Sequence, residues 1–116
     1  PGFKYGLPLE AAFVFDVRYL PNPFFVDELR VLTGLEASVA RYVFREPAAG
    51  RMARSIAALV EEVLPLCRKE GRSNLMVAIG CTGGQHRSVA VAERVARTLR
   101  RKGVGLSVLH RDMNRG

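Results

Sequence analysis

The sequence predicts an α/β fold, a single compact domain in which a small, mainly parallel sheet is flanked by helices. Short apolar runs typical of strands alternate with longer segments of helical periodicity. A glycine-rich turn joins one of these runs to the helix that follows. The length of 116 residues suits one domain, and no repeat or linker divides the chain. We therefore expect one domain over residues 1–116.

Four short strands are expected, each from an apolar or alternating run. They cover residues 3–6, 11–17, 74–79 and 106–109. Between the first two and the third, Pro21 and Pro23 fix the backbone and remove amide donors, so residues 18–23 should form a rigid, extended loop.

Helical spacing of apolar residues predicts three main helices, over residues 36–45, 48–70 and 85–102, after a helical turn between residues 24 and 30. Pro65 lies inside the second helix, where it should kink the helix or end its regular hydrogen bonding. Helices that connect parallel strands place the carboxyl ends of those strands at one edge of the sheet.

The stretch from Asn74 to Val89 carries the strongest functional signal. The apolar run NLMVAI ends in Gly-Cys-Thr-Gly-Gly, and helical spacing begins near Gln85. Glycines let loop amides turn inward, and the helix start adds free N–H groups and the positive end of its dipole. Arg87 offers a planar fork suited to phosphate, while Thr82 and Ser88 add hydroxyls. The stretch predicts a phosphate-binding loop; the alternative is a plain turn with solvated polar residues.

Polar residues also follow two other expected strands. Asp16 and Arg18 come at the end of one, and His110, Arg111 and Asp112 come after the last. Open α/β sheets bind ligands at the carboxyl ends of their strands. The convergence of three such segments at one edge predicts a binding site there.

The net charge of +7 favours polyanions or phosphorylated ligands as partners. Arg94, Arg97 and Arg101 fall on one side of the last helix, where a solvated face and an RNA contact are the two interpretations. Two cysteines imply no disulfide framework, and no apolar run is long enough for a membrane span. With no signal-peptide pattern at the start, we expect a cytoplasmic protein without a membrane partner.

The loop residues suit two kinds of chemistry. Cys81 to Ser88 reads as C-x5-R-S, the spacing of cysteine phosphatases, in which loop amides lower the thiol pKa and Arg87 grips the phosphate. Asp16 or Asp112 would then act as the general acid. Zinc held by Cys81, His86, His110 and Asp16 is the weaker alternative, since no paired-ligand spacing is present. No G-x4-G-K-[ST] loop is present, so we do not expect NTPase activity. We also expect neither a metal nor a cofactor.

The blocks GFKYGLPLEA, VFDVRYLPNP, LTGL, AIGCTGGQHRSV and HRD occur in this order and cover nearly the whole chain. Together they resemble the C-terminal domain of the RapZ (YvcJ) family. Complete members of that family carry an N-terminal P-loop nucleotide-binding domain, which this sequence lacks. The resemblance therefore implies an isolated C-terminal domain, either a fragment or a stand-alone protein.

The resemblance implies a noncatalytic domain that senses a phosphometabolite. The best-known family member binds glucosamine-6-phosphate through this domain, binds small regulatory RNAs and presents one of them to an endoribonuclease. The implied partners are thus an amino-sugar phosphate, a structured small RNA and a ribonuclease, with a homo-oligomer left open. One departure is Phe24, where the RNA-binding member has histidine.

The resemblance also implies which residues line the sugar-phosphate pocket. They are Cys81, Thr82, Gly83, Gly84, Gln85, His86, Arg87 and Ser88 of the loop, completed by Asp16, Arg18, Asn22, Arg30 and Thr33.

Overall fold

Two short parallel strands form the centre of the fold. β1 runs over Phe13–Asp16 and β2 over Val77–Gly80 in the computed structural model, which describes residues 1–72 and 74–115. Asp16 lies opposite Gly80, so both strands end at the same edge of the sheet. The expected α/β fold with a parallel sheet is confirmed.

The described residues contain four α-helices: α1 (Asp27–Arg30), α2 (Ala37–Phe44), α3 (Pro47–Lys69) and α4 (Arg87–Arg101). The three longer helices lie where the apolar spacing predicted them. Pro65 lies inside α3, which continues past it to Lys69. None of these helices has the length and apolar composition that crossing a bilayer requires.

The start of α3 shows how local sequence sets a helix boundary. Pro47 occupies the first helical position, where a missing amide hydrogen costs nothing and the fixed φ favours the helix. The carboxylate of Glu46 accepts a hydrogen bond from the amide of Ala48 at 3.2 Å. Proline and cap together begin α3 directly after α2.

One apolar core joins the sheet to α2, α3 and α4. Its buried members come from all of these elements and include Val43, Ile56, Val60, Ile79, Val91, Val95 and Leu99. Phe15 packs against this core, whereas its neighbour Val14 is exposed. β1 therefore turns alternate side chains toward and away from the helices, as strand geometry requires.

Two of the expected strands are wrong. Phe3–Tyr5 form a 3-10 helix, and only Gly2 pairs with the sheet, through a parallel bridge to Cys81. Residues 104–110 form no strand, and the backbone of residues 105–109 finds no backbone partner within the described part of the chain. A segment with strand propensity becomes a strand only when a neighbour completes its hydrogen bonds. The sheet is therefore smaller than predicted.

The segment before α1 also differs from the expectation. Pro23 is not the end of an extended loop but the first residue of a 3-10 helix, Pro23–Phe25, which leads into α1. Asn22 caps this 3-10 helix by accepting a hydrogen bond from the amide of Phe24 at 3.1 Å.

Candidate functional site

The loop between β2 and α4 curls around the thiol of Cys81. The sulfur lies 3.3 Å from the hydroxyl oxygen of Ser88, in the first turn of α4. The backbone amides of Gly84 and Ser88 also donate to this sulfur. Burial alone would raise the pKa of the thiol, but these hydrogen bonds and the charge of Arg87 outweigh it and lower the pKa. The loop therefore stabilises negative charge at its centre.

Most amides of the loop have no acceptor among the described residues. The carbonyl oxygens of Cys81, Thr82, Gln85 and His86 all accept backbone hydrogen bonds and thereby anchor the loop. Within the described part of the chain, by contrast, the amides of residues 82, 83 and 85–87 donate to no other backbone group. Free amides next to a helix start are the donor set that an anion requires.

Arg87, the first residue of α4, is a buried cation with spare hydrogen-bonding capacity. Arg87 is only 6% exposed. Nη1 donates to the carbonyl oxygens of Arg18 and Leu20, at 2.5 and 3.4 Å. Nε is buried and donates to no atom of the described residues. A buried donor without a partner costs about 1–3 kcal/mol, which a bound oxyanion would recover.

An exposed ion pair lies at the carboxyl end of β1. Nη2 of Arg18 is 2.7 Å from a carboxylate oxygen of Asp16, and the guanidinium lies 4.9 Å from the centre of the Phe3 ring. The hydrogen bonds from Arg18 hold the pKa of Asp16 below its usual value. The carbonyl oxygen of Arg18 accepts a hydrogen bond from Nη1 of Arg87, which places the pair beside the loop. Asp16 is thus an ionised acceptor at neutral pH.

The N-terminal turn packs against the back of the loop. Gly84 has a φ of +76°, and a methyl group there would overlap the backbone of Gly2. The amide of Gly2 donates to the fully buried carboxylate of Asp112 at 2.8 Å. A side chain at Gly80 would overlap the ring of Phe3. Gly2 and Phe3 were not predicted at the site, although a glycine beside an aromatic residue in the GFKYG block was an available signal.

Comparison with known proteins places the chain in a family. The family model for the RapZ C-terminal domain matches residues 2–114. The chain belongs to this family. It is 49% identical over 114 residues to a nucleotide-binding protein of Carboxydothermus hydrogenoformans and 47% identical to one of Listeria monocytogenes. Each match covers 98% of this chain and 39% of the relative, so the chain spans about two fifths of the relatives' length.

Three site residues predicted from the likeness to RapZ proteins use their side chains locally. Asn22 and Thr33 each accept a hydrogen bond from the amide two residues further on. Arg30 donates to the carbonyl of Phe24 and to the carboxylate of Asp27. Their place in a RapZ ligand pocket stays a prediction.

The backbone of the same segment does reach the RapZ loop. The carbonyl oxygen of Arg30 lies 3.1 Å from Nε2 of His86, and the amide of Gly34 donates to the carbonyl of Gln85 at 2.8 Å. His86 is buried, and Thr82 is exposed. The segment before α2 thus holds one side of the loop in place.

Cys81, His86, His110 and Asp16, the alternative zinc ligands, do not form one cluster. Nε2 of His110 lies 2.7 Å from a carboxylate oxygen of Glu93, and His86 faces the backbone of Arg30. No group of three or more histidine, cysteine, aspartate or glutamate side chains in residues 1–72 and 74–115 is placed to hold a metal ion.

Proposed function

We propose that this RapZ-type domain is a noncatalytic binding domain for a phosphate monoester, and specifically for an amino-sugar phosphate such as glucosamine-6-phosphate. Nε of Arg87 carries the proposal, because this buried donor has no acceptor among the described residues and an oxyanion would supply one. The free loop amides at the start of α4 supply further donors of the same kind.

The strength of such a site follows from its number of donors. A hydrogen bond to a charged group contributes about 1.5–3 kcal/mol. Four such bonds, from Arg87 and the loop amides, contribute about 6–12 kcal/mol, a range that includes the value of about 8 kcal/mol for micromolar binding. The lowered pKa of Cys81 supports the proposal, because the positive potential that stabilises the thiolate would also stabilise a bound phosphate.

Asp16 supports the choice of an amino sugar. Its carboxylate stays ionised at neutral pH and lies near the charge of Arg87. A carboxylate is an acceptor only, so it suits the ammonium and hydroxyl groups of such a sugar. In this proposal Arg87 and the loop bind the phosphate, while Asp16 binds the ammonium and hydroxyl groups of the sugar.

Isothermal titration calorimetry tests this function. Glucosamine-6-phosphate should bind, and glucosamine should not. Arg87→Ala should abolish binding, whereas Arg97→Ala, at an exposed position of the same helix, should leave it intact. Binding by a folded Arg87→Ala variant, judged by circular dichroism, would overturn the proposal. AMP serves as a competitor, because the relatives are named nucleotide-binding proteins.

A cysteine phosphatase is the competing function, and the lowered pKa of Cys81 favours it. Two observations oppose it. Cys81 is buried, which limits in-line attack. Hydrogen bonds also hold the pKa values of Asp16 and Asp112 below their usual range, so neither carboxyl is protonated to serve as a general acid near pH 7. Turnover of p-nitrophenyl phosphate that Cys81→Ser abolishes would establish the phosphatase instead.

RNA binding is a second proposed function, and a basic groove between α2 and α4 supports it. This groove has a volume of about 970 Å³, and its lining includes Arg41, Arg45, Arg94 and Arg97. Burial, followed by the charges of Arg97, Arg101 and Arg54, lowers the pKa of Arg94. Cations held close together repel one another, and the negative charges of a nucleic-acid phosphate backbone would relieve that repulsion.

Salt dependence tests the RNA proposal. Binding to a structured RNA hairpin should weaken steeply as salt rises, and Arg97→Glu should weaken it further. Arg68→Glu, at an exposed position of α3 outside this groove, is the charge-matched control. Equal losses for both variants would assign the effect to net charge alone. A ribonuclease partner and a homo-oligomer stay predictions.

A further inference from the structure

β2 has one edge that pairs with β1. Met76 and Gly80 accept hydrogen bonds from the residues that flank β1, at 2.9 Å in both cases. Because backbone groups in a strand alternate in direction, the even-numbered residues of β2 face β1. The odd-numbered residues face the opposite edge.

That opposite edge is occupied only at its end. The amide of Cys81 donates to the carbonyl of Pro1 at 3.1 Å, and its carbonyl accepts from Phe3 at 2.8 Å, which makes a parallel bridge centred on Gly2. Val77 and Ile79 face the same edge, and their backbone groups have no partner there among the residues that the structure describes. β2 therefore carries an open edge directly before the bridge.

A cavity of about 540 Å³ lies beside the open edge. The residues that line it include Val77 and Ile79 of β2, Val95 and Leu99 of α4, Pro1, and residues 104–110. The backbone of residues 105–109 also finds no backbone partner in the described part of the chain. The cavity is thus lined both by the open edge of β2 and by a segment whose backbone has no partner among the described residues.

We propose that a further β-strand fills this cavity, parallel to β2 and in line with Pro1–Gly2. The inference depends on the open edge, the cavity and the register of the bridge. We assign the strand to the segment that precedes the counterpart of Pro1 in the longer proteins of this family, of which this chain spans 39%. A covalently continuous strand needs no separate encounter, so this occupant is favoured over a second copy.

The bridge fixes the register of the added strand. With Gly2 opposite Cys81, the residue directly before Pro1 lies opposite Ile79, and the third residue before Pro1 lies opposite Val77. Both positions face the core side, as Ile79 does, and should be apolar. Within a longer chain Pro1 has no amide hydrogen, so the carbonyl of Ile79 gains no hydrogen bond from it. The amides of Ile79 and Val77, by contrast, both gain carbonyl acceptors on the added strand.

Two designed extensions of equal composition test the proposal. Each adds six alternating Val and Thr residues before Pro1, one with Val in the first and third positions before Pro1 and the other shifted by one residue. The in-phase extension should slow hydrogen exchange of the Val77 and Ile79 amides at least tenfold relative to the unextended chain. The amide of Ala78, which faces β1, is the internal control. Equal protection by both extensions, or by neither, would overturn the proposed register.

Sedimentation of the unextended chain completes the test. A monomer with rapidly exchanging Val77 and Ile79 amides is the expected result. A dimer in which these two amides are already protected would overturn the assigned occupant, because a second copy would then cover the edge.

Discussion

Nη1 of Arg87 donates to the carbonyl oxygen of Arg18 at 2.5 Å, which ties the first residue of α4 to the end of β1. The same Arg18 uses its side chain to hold Asp16. One residue therefore anchors the buried cation through its backbone and the exposed carboxylate through its guanidinium. Since Nε of Arg87 keeps no partner among the described residues, the anchor fixes the cation through Nη1 and leaves Nε available.

Arg87→Lys tests whether the fork, rather than the charge, binds the ligand. A lysine ammonium is a point charge and cannot hold the carbonyl of Arg18 while presenting a second, planar N–H edge. We expect the affinity for glucosamine-6-phosphate to fall about tenfold to a hundredfold, the loss of roughly one charge-assisted hydrogen bond. Calorimetry measures it, with Arg97→Lys as the control on the same helix. Unchanged affinity in Arg87→Lys would show that charge alone is sufficient.

Gly83 and Gly84 offer a matched pair of substitutions within the loop. Gly84 has a φ of +76°, and an added methyl group would overlap the backbone of Gly2. At Gly83 the nearest atom to such a methyl group is Cε of Lys4, 3.9 Å away. We expect Gly84→Ala to lower the free energy of unfolding by more than about 2 kcal/mol, and Gly83→Ala by less than about 1 kcal/mol. Urea unfolding compares them, and similar losses would contradict the described packing of Gly2.

Local patterns predicted the parts of the fold that local forces determine. The apolar spacing located α2, α3 and α4 because amphipathic periodicity reports directly which face is buried. The glycine-rich turn after β2 likewise identified the loop. Residues 106–109 show the limit: their sequence suits a strand, but the described chain offers them no hydrogen-bonding neighbour. Strand formation is a property of a pair of segments, and one segment cannot reveal it.

Contacts between distant residues at the site could not be predicted either. Gly2 and Asp112 are 110 residues apart, and nothing in either neighbourhood specifies their hydrogen bond. His110 was weighed as a metal ligand, yet it pairs with Glu93 of α4. Such pairs form because the packing of other elements brings distant segments of the chain together. The sequence indicated candidate residues for the site but not the partners of their side chains.

The buried carboxylate of Asp112 predicts how stability responds to acid. Burial alone would raise its pKa, but hydrogen bonds from Arg111 and the amide of Gly2, together with the charges of Arg111 and Arg115, outweigh burial and lower the pKa. The folded state therefore favours the ionised form more than the unfolded state does. This contribution is fully present above the unfolded pKa of about 3.9 and is lost as pH falls through the lower, folded value.

Asp112→Asn should accordingly flatten the acid side of the stability profile. We expect the variant to be less stable than the parent at pH 7, because an amide cannot replace a carboxylate that faces two arginines. Its free energy of unfolding should then fall less than that of the parent between pH 5 and pH 3, two settings that bracket the unfolded pKa of about 3.9. Urea unfolding measures both proteins. The control is Asp27→Asn, at an exposed position of α1, which removes the same charge and should retain the parental loss of stability between pH 5 and pH 3. An equally steep loss of stability in Asp112→Asn and Asp27→Asn would contradict the role assigned to Asp112.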